Sequence, residues 1–167
     1  MSRVVSLMFA LLPLWLAGTA AQAVPGAPPG WSGAGDRPQD YDFGTDARSG
    51  AAGRQAAYVK ARDGARSDGF GTMTQCIKAE KYIGQRLRFS ARLQGVDAPR
   101  LQLWMRVDGG KDKVLSFYNM VDRPLYGTTA WQQEQVVLDV PKGSTVICYG
   151  FFLAGGRGEA WADSLDL

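Results

Sequence analysis

A chain of 167 residues, 46% of them hydrophobic and 21% charged, has the composition of one folded domain. Its net charge of +3 is too near neutral to argue for a nucleic-acid partner. The complete absence of histidine excludes Ser-His-Asp and Cys-His catalysis and histidine-ligated zinc or copper, leaving carboxylate chemistry, lysine chemistry and calcium held by oxygen ligands open.

Near its start the chain carries Arg3, an almost unbroken apolar run over Val4–Leu16, and the small-x-small triplet Ala21-Gln22-Ala23. That order reads as a secretory signal peptide over 1–23, too short and wrongly flanked to be a membrane anchor. No second hydrophobic stretch of spanning length follows. The expectation is therefore an exported protein, periplasmic or secreted, with no transmembrane segment. In such an oxidising compartment the two cysteines, Cys76 and Cys148, pair as a disulfide; otherwise they are two small buried thiols. A bridge closing that long a loop contributes about 4 kcal/mol in the chain-entropy picture.

Residues 24–50 are rich in Gly, Pro, Ala and Asp and read as an irregular lead-in, although Trp31, Tyr41 and Phe43 are large enough to dock on a core. The sandwich domain is placed at 51–167, where the hydrophobic period is two. Leu87, Phe89, Ala91 and Leu93 alternate with polar residues over 86–94, and Leu101, Leu103, Met105 and Val107 do so over 101–107. Further β-rich runs occupy 55–60, 71–77, 114–120, 133–140, 145–153 and 159–167, separated by turns such as Asp108-Gly109-Gly110 and Pro141-Lys142-Gly143. Residues 78–83 suit one short helical turn. About eight or nine short strands without a helical stripe predict an all-β fold, a two-sheet antiparallel β-sandwich.

The strings GFGTMTQ (69–75), YIGQRLRFSARLQ (82–94), LWMRVDG (103–109), NMVDRPLYGTTAWQQEQVVLDVP (119–141) and WADSLDL (161–167) carry a resemblance. The chain resembles bacterial jelly-roll modules of the carbohydrate-binding, galactose-binding-like type. Within them it is similar to a poorly characterised group attached to exported peptidases and to regulators. The resemblance implies a non-catalytic jelly roll and says much less about the ligand. It also implies that the strands 71–77, 101–107, 114–120 and 145–153 share one sheet, the first and last being neighbours. Cys76 and Cys148 then fall on one face of adjacent strands.

Alternation assigns the faces of these strands. Leu101, Leu103, Met105, Leu115, Phe117, Ile147, Tyr149, Phe151, Leu153, Met73 and Ile77 are expected inward. Gln102, Trp104, Arg106, Ser116, Tyr118, Met120, Cys148, Gly150, Phe152, Thr72, Thr74 and Cys76 are expected outward. The candidate ligand-binding set on that outer face is Trp104, Arg106, Tyr118, Gln102 and Phe152. An aromatic ring stacks on the CH-rich side of a pyranose, while a guanidinium and an amide bond its hydroxyls. The competing reading has Trp104 covered by a loop such as 121–130, or serving a protein contact.

Asp122-Arg123-Pro124 and Gly127-Thr128-Thr129 either rim a site or hold a turn, with Asp122 paired to Arg123 and a threonine on the backbone. Asp163 is expected inward between Trp161 and Leu165. Related jelly rolls imply a structural calcium there, with Asp36, Asp40 or Asp42 as partners; the alternative is a carboxylate bonded by the 31–45 segment. The stripe Arg86, Arg88, Arg92 reads as a solvated face that blunts aggregation, or as a weak site for acidic polysaccharide or lipid headgroups. Glu80, Glu134 and Glu159 make a glycosidase pair only by spatial coincidence, so no catalytic residue is assigned. The reading is an exported, non-catalytic module that binds a glycan. Its rivals are a periplasmic protein-interaction module (an inhibitor, an adaptor or a subunit of an envelope complex) and a small hydrolase. The ligand's identity and the oligomeric state are not written in the residues.

Overall fold

The computed structural model describes residues 22–167, so of the segment 1–23 expected as a signal peptide, residues 1–21 lie outside the described residues. Twelve strands form two antiparallel sheets packed as a β-sandwich. In chain order they are β1 (Gln22–Ala23), β2 (Trp31–Gly35), β3 (Tyr41–Asp46), β4 (Ala56–Ala61), β5 (Phe70–Lys78), β6 (Arg86–Val96), β7 (Ala98–Gly109), β8 (Val114–Tyr118), β9 (Leu125–Gly127), β10 (Gln132–Asp139), β11 (Ser144–Ala154) and β12 (Glu159–Asp166). The larger sheet runs β1-β2-β5-β11-β7-β8, with β9 paired to the other half of β7; the smaller runs β10-β6-β12-β4-β3. The helical turn expected near 78–83 is a short 3₁₀ turn, Glu80–Tyr82.

Alternation explains the core. Leu87, Phe89, Ala91 and Leu93 of β6 face Leu101, Leu103, Met105, Val107, Ile147, Phe151 and Leu153 of β7 and β11, all nearly or wholly buried. Removing their apolar area from water is the main stabilising term, about 25 cal/mol per Å². The segment 24–50, expected to be irregular, contributes β2 and β3, because Tyr41 and Phe43 anchor it on the core. Gly71 makes that docking fit: a Cβ there would stand 2.5 Å from the Tyr41 ring.

Cys76 stands directly opposite Cys148 in the β5–β11 register, and the two are disulfide-bonded with Cα atoms 4.1 Å apart. The sheet places β5, β11, β7 and β8 in one row, as the resemblance implied.

The expected faces of two strands are corrected, and Met120, expected outward, is buried in the core. On β8, Tyr118 stands opposite the inward Met105 and Phe117 opposite the outward Arg106, so Tyr118 faces inward and Phe117 is 41% exposed. The cause is that β8 is a short edge strand with a register shift beside Asp108, and its inner face lies at the rim of the core beside an opening. On β12, Ala160 and Ala162 face the core, which turns Trp161 and Asp163 outward. The facing strands fill that space with Phe151 and Leu153, leaving room for little more than a methyl group. After a register shift between Asp163 and Asp166, Leu165 returns to the core side.

Candidate functional site

The expected outer-face site does not form one open surface. Trp104 is 6% exposed, and its indole N–H donates to Thr72 Oγ1 at 2.9 Å, across the strand that carries Gly150. A side chain at Gly150 would run into the Met73 carbonyl. Gln102 is 1% exposed and donates to the Asn119 carbonyl at 2.6 Å. Arg106 is mostly buried against Asp108, its Nε donating to the carboxylate at 2.9 Å. Phe152 packs edge-on against Phe70, ring centroids 5.9 Å apart. Each of these groups is hydrogen-bonded to or packed on a neighbour outside the set, which is how buried polar side chains are satisfied. Tyr118 has left this set altogether, because it points to the other side of its strand.

Tyr118 instead lines a groove of about 670 Å³ with Arg123, Gln133, Glu134, Gln135 and Val137. The topology makes this groove. β8 ends one sheet and β10 ends the other, and β10 faces β7 and β8, so the sandwich is open along this side. Ser116 Oγ donates to the Asp139 carbonyl at 3.1 Å and ties the two edges at one end. At the other end Arg123, from the loop after β8, donates to Glu134 and to the Gln135 carbonyl. Its planar fork thus caps a main-chain oxygen of the β10 edge and neutralises a carboxylate turned between the sheets.

The groove's electrostatics are local. Tyr118 Oη donates to Asp122 Oδ1 at 2.5 Å. Burial first, and then this bond to a carboxylate, raise the Tyr118 phenol above its ordinary value. The same bond holds Asp122 below the usual carboxylate range. The phenol is a neutral donor at neutral pH, with its ring orientation set by Asp122. Gln133 and Gln135 stand exposed on β10 and offer amide donors and acceptors. The lining can stack on and hydrogen-bond a polar ligand, and it contains no pair of free carboxylates for acid–base chemistry.

The loop expectations divide. Asp122 does not pair with Arg123: it serves Tyr118, while Arg123 serves Glu134. The threonines do hold the turn, since Thr129 Oγ1 accepts from Gly95 N–H and Thr128 Oγ1 from Asp97 N–H, both at 3.0 Å. Glu80, Glu134 and Glu159 stand on three different elements; Glu159 bonds Trp161 Nε1 at 2.7 Å and Lys60 at 3.4 Å. Sequence reasoning did not assign Gln133, Glu134 and Gln135 to a binding site. Their signal was the polar run Gln132-Gln133-Glu134-Gln135 at the start of an otherwise apolar strand.

Asp163 is 1% exposed on the outer side of its sheet, covered by the 50–54 turn. Its carboxylate accepts from Ala51 N–H at 2.5 Å and from Arg54 at 3.5 Å, so its partners come from that turn and not from 31–45. Asp36 accepts from Phe70 N–H, Asp40 from Arg37, and Asp42 from Arg62. The donors around Asp163 are N–H groups, which does not fit a calcium ion there. No cluster of three or more acidic, cysteine or histidine residues occurs among the described residues. No helix among them is long and apolar enough to cross a membrane.

No protein-family model matches the chain. The fold is similar to a CBM22-1 xylan-binding domain from Paenibacillus barcinonensis, with TM-score 0.61 and 13% identity over 84% of this chain and 85% of that one. It is also similar to part of the enzymatically active domain of bacteriophage CBA120 tailspike protein 4, with TM-score 0.57 and 13% identity over 82% of this chain and 19% of that one. At such identities the likeness is one of fold. In sequence, the chain is 39% identical over 135 residues to the uncharacterized HTH-type transcriptional regulator YbfP of Bacillus subtilis (strain 168), 80% of this chain. It spans only 45% of that curated relative's length.

Proposed function

We propose that this protein is an exported, non-catalytic module that holds a carbohydrate in the groove between β8 and β10. The observation that carries the reading is the groove's lining: a fixed phenol ring, an arginine fork and two exposed amides converge on one opening. A sugar presents CH faces to a ring and paired hydroxyls to amides and guanidinium, so this is the chemistry a glycan requires. The fold shared with a xylan-binding domain supports it. Export rests on the 1–23 segment and is supported by the Cys76–Cys148 bridge, which suits an oxidising compartment.

Titration calorimetry of the chain against xylan, cellulose and galactan oligosaccharides tests the reading, with Tyr118→Ala beside the wild type. Binding by the wild type that is lost in the variant, with no release of reducing ends, is the expected result. Unchanged binding by Tyr118→Ala removes the groove as the site.

A second reading, a protein-interaction module, is favoured by one observation. Phe117, Val121 and Tyr126, all in the β8–β9 stretch, are 41%, 64% and 63% exposed. An envelope protein captured through Val121→Asp-sensitive contacts, with no glycan bound, would establish it.

A further inference from the structure

The arginine stripe of β6 and the groove are not separate features. In the β6–β10 register, Arg92 stands opposite Gln133, Ser90 opposite Gln135 and Arg88 opposite Val137. Those three β10 residues line the groove. Strands in a sheet lie about 4.8 Å apart, so the guanidiniums of Arg88 and Arg92 stand within one side-chain length of the groove floor. Along β6 the two are about 13 Å apart, with the short Ser90 between them.

The two arginines also lack internal partners. Arg86 pairs with Asp139 at 3.5 Å, but the side chains of Arg88 and Arg92 make no ion pair or hydrogen bond among the described residues. The acids near them are committed elsewhere. Asp163, opposite Arg92 on β12, is held by Ala51 N–H and Arg54, and Glu134 is held by Arg123. One exposed carboxylate, Asp166, stands opposite Ser90 on the β12 side. Two unpaired cations against one exposed acid leave this wall of the groove positive, with Arg123 on the opposite lip.

We propose that the groove's ligand is an acidic polysaccharide, its sugar rings seated against Tyr118 and its carboxylate or sulfate groups paired with Arg88 and Arg92. The inference rests on the groove reading above and adds the charge class. Exposed guanidiniums recognise such groups by bidentate, charge-assisted hydrogen bonds, and their contribution is screened by salt.

Affinity electrophoresis in gels containing polygalacturonate, or the same polymer with its carboxylates reduced to neutral alcohols, separates the two levels. The wild type should bind the acidic polymer more tightly, and the difference should shrink between about 50 and about 300 mM salt. Arg88→Gln/Arg92→Gln should weaken acidic binding about tenfold, the product of two half-exposed ion pairs, and leave neutral binding unchanged. Tyr118→Ala should weaken both. Arg48→Gln/Lys78→Gln removes the same charge at exposed positions far from the groove and should have no effect. Equal loss in that control, wild-type binding by the arginine double variant, or equal affinity for the two polymers would overturn the charge inference alone. Binding of neither polymer, or binding of both unaffected by Tyr118→Ala, would overturn the groove reading beneath it.

Discussion

Removal of the Asp163 carboxylate should release the 50–54 turn from the sheet, and the structure sets the size of the effect. Ala51 is 5% exposed, and its N–H has Asp163 Oδ2 as its acceptor at 2.5 Å. The turn is tight because Gly50 N–H also donates to the Arg54 carbonyl at 2.7 Å, and a Cβ on Gly50 would sit 2.9 Å from Asp163 Oδ2. A bond to a charged acceptor contributes about 1.5–3 kcal/mol, and its loss strands a buried donor. The second partner, Arg54, is half-exposed at 3.5 Å and adds well under about 1 kcal/mol. Asp163→Ala should therefore cost about 3 kcal/mol, lowering the Tm by about 10 °C in a domain of this size. Asp163→Asn keeps one acceptor oxygen and should cost about 1 kcal/mol, and Arg54→Ala should cost less. Thermal unfolding followed by circular dichroism, with calcium and with chelator, reads all three. An Arg54→Ala loss as large as that of Asp163→Ala would refute the assignment of the stability to Ala51 N–H. A calcium-dependent rise in Tm that Asp163→Asn abolishes would make Asp163 a metal ligand instead.

Three further outcomes can be measured. Burial pushes the Tyr41 phenol up to about 12, and its hydroxyl makes no hydrogen bond within normal limits, the Gly156 backbone being the group that comes near. A raised folded-state value means that the stabilisation is complete below pH 10 and is lost as pH rises towards 12; Tyr41→Phe should flatten that alkaline loss and leave stability at pH 7 unchanged or slightly higher, as urea titrations at the two pH values will show. Cys76 and Cys148 are 72 positions apart, so Cys76→Ser/Cys148→Ser should lose about 4 kcal/mol in denaturant unfolding with the fold retained. Trp104→Phe removes the donor to Thr72, whose hydroxyl still donates to the Phe151 carbonyl at 2.8 Å; it should cost about 1–2 kcal/mol in thermal unfolding and leave glycan affinity unchanged.

What could be read in the residues, and what could not, divides along physical lines. Strands with a packed face announced themselves by alternation: the inward Leu87, Phe89, Ala91 and Leu93 of β6 sit as expected, and β7 and β11 behave likewise. Alternation fails where a strand's inner side meets only the rim of the core. On β8 the hydrophobic Phe117 points to solvent and the polar-tipped Tyr118 packs at the rim of the core and lines the groove, because the strand stands at the open edge of the sandwich. On β12 the rule fails for the opposite reason. The interior is so full that Ala160 and Ala162 take the core side and Trp161 lies outside, its ring 5.2 Å from Tyr58 with Lys60 above both. The expected binding set is largely closed off for a related cause. Trp104, Gln102 and Arg106 do share an outward row on β7, but hydrogen bonds to Thr72, Asn119 and Asp108 occupy their polar atoms. No one-dimensional pattern reports whether an outward side chain is already satisfied. The groove itself joins the edge strands of two different sheets, β8 and β10, and a relation between sheets is set by packing rather than by local periodicity.

The central claim is that ligand meets the protein at the β8–β10 edge and not on the Trp104 face. Its most direct test is a titration of isotope-labelled protein with an oligosaccharide, following side-chain N–H resonances. Shifts are expected at the Gln133 and Gln135 amides and the Arg123 guanidinium, with the Trp104 indole N–H unmoved in its bond to Thr72. Shifts centred on Trp104, Arg106 and Phe152, with the groove amides silent, would contradict it.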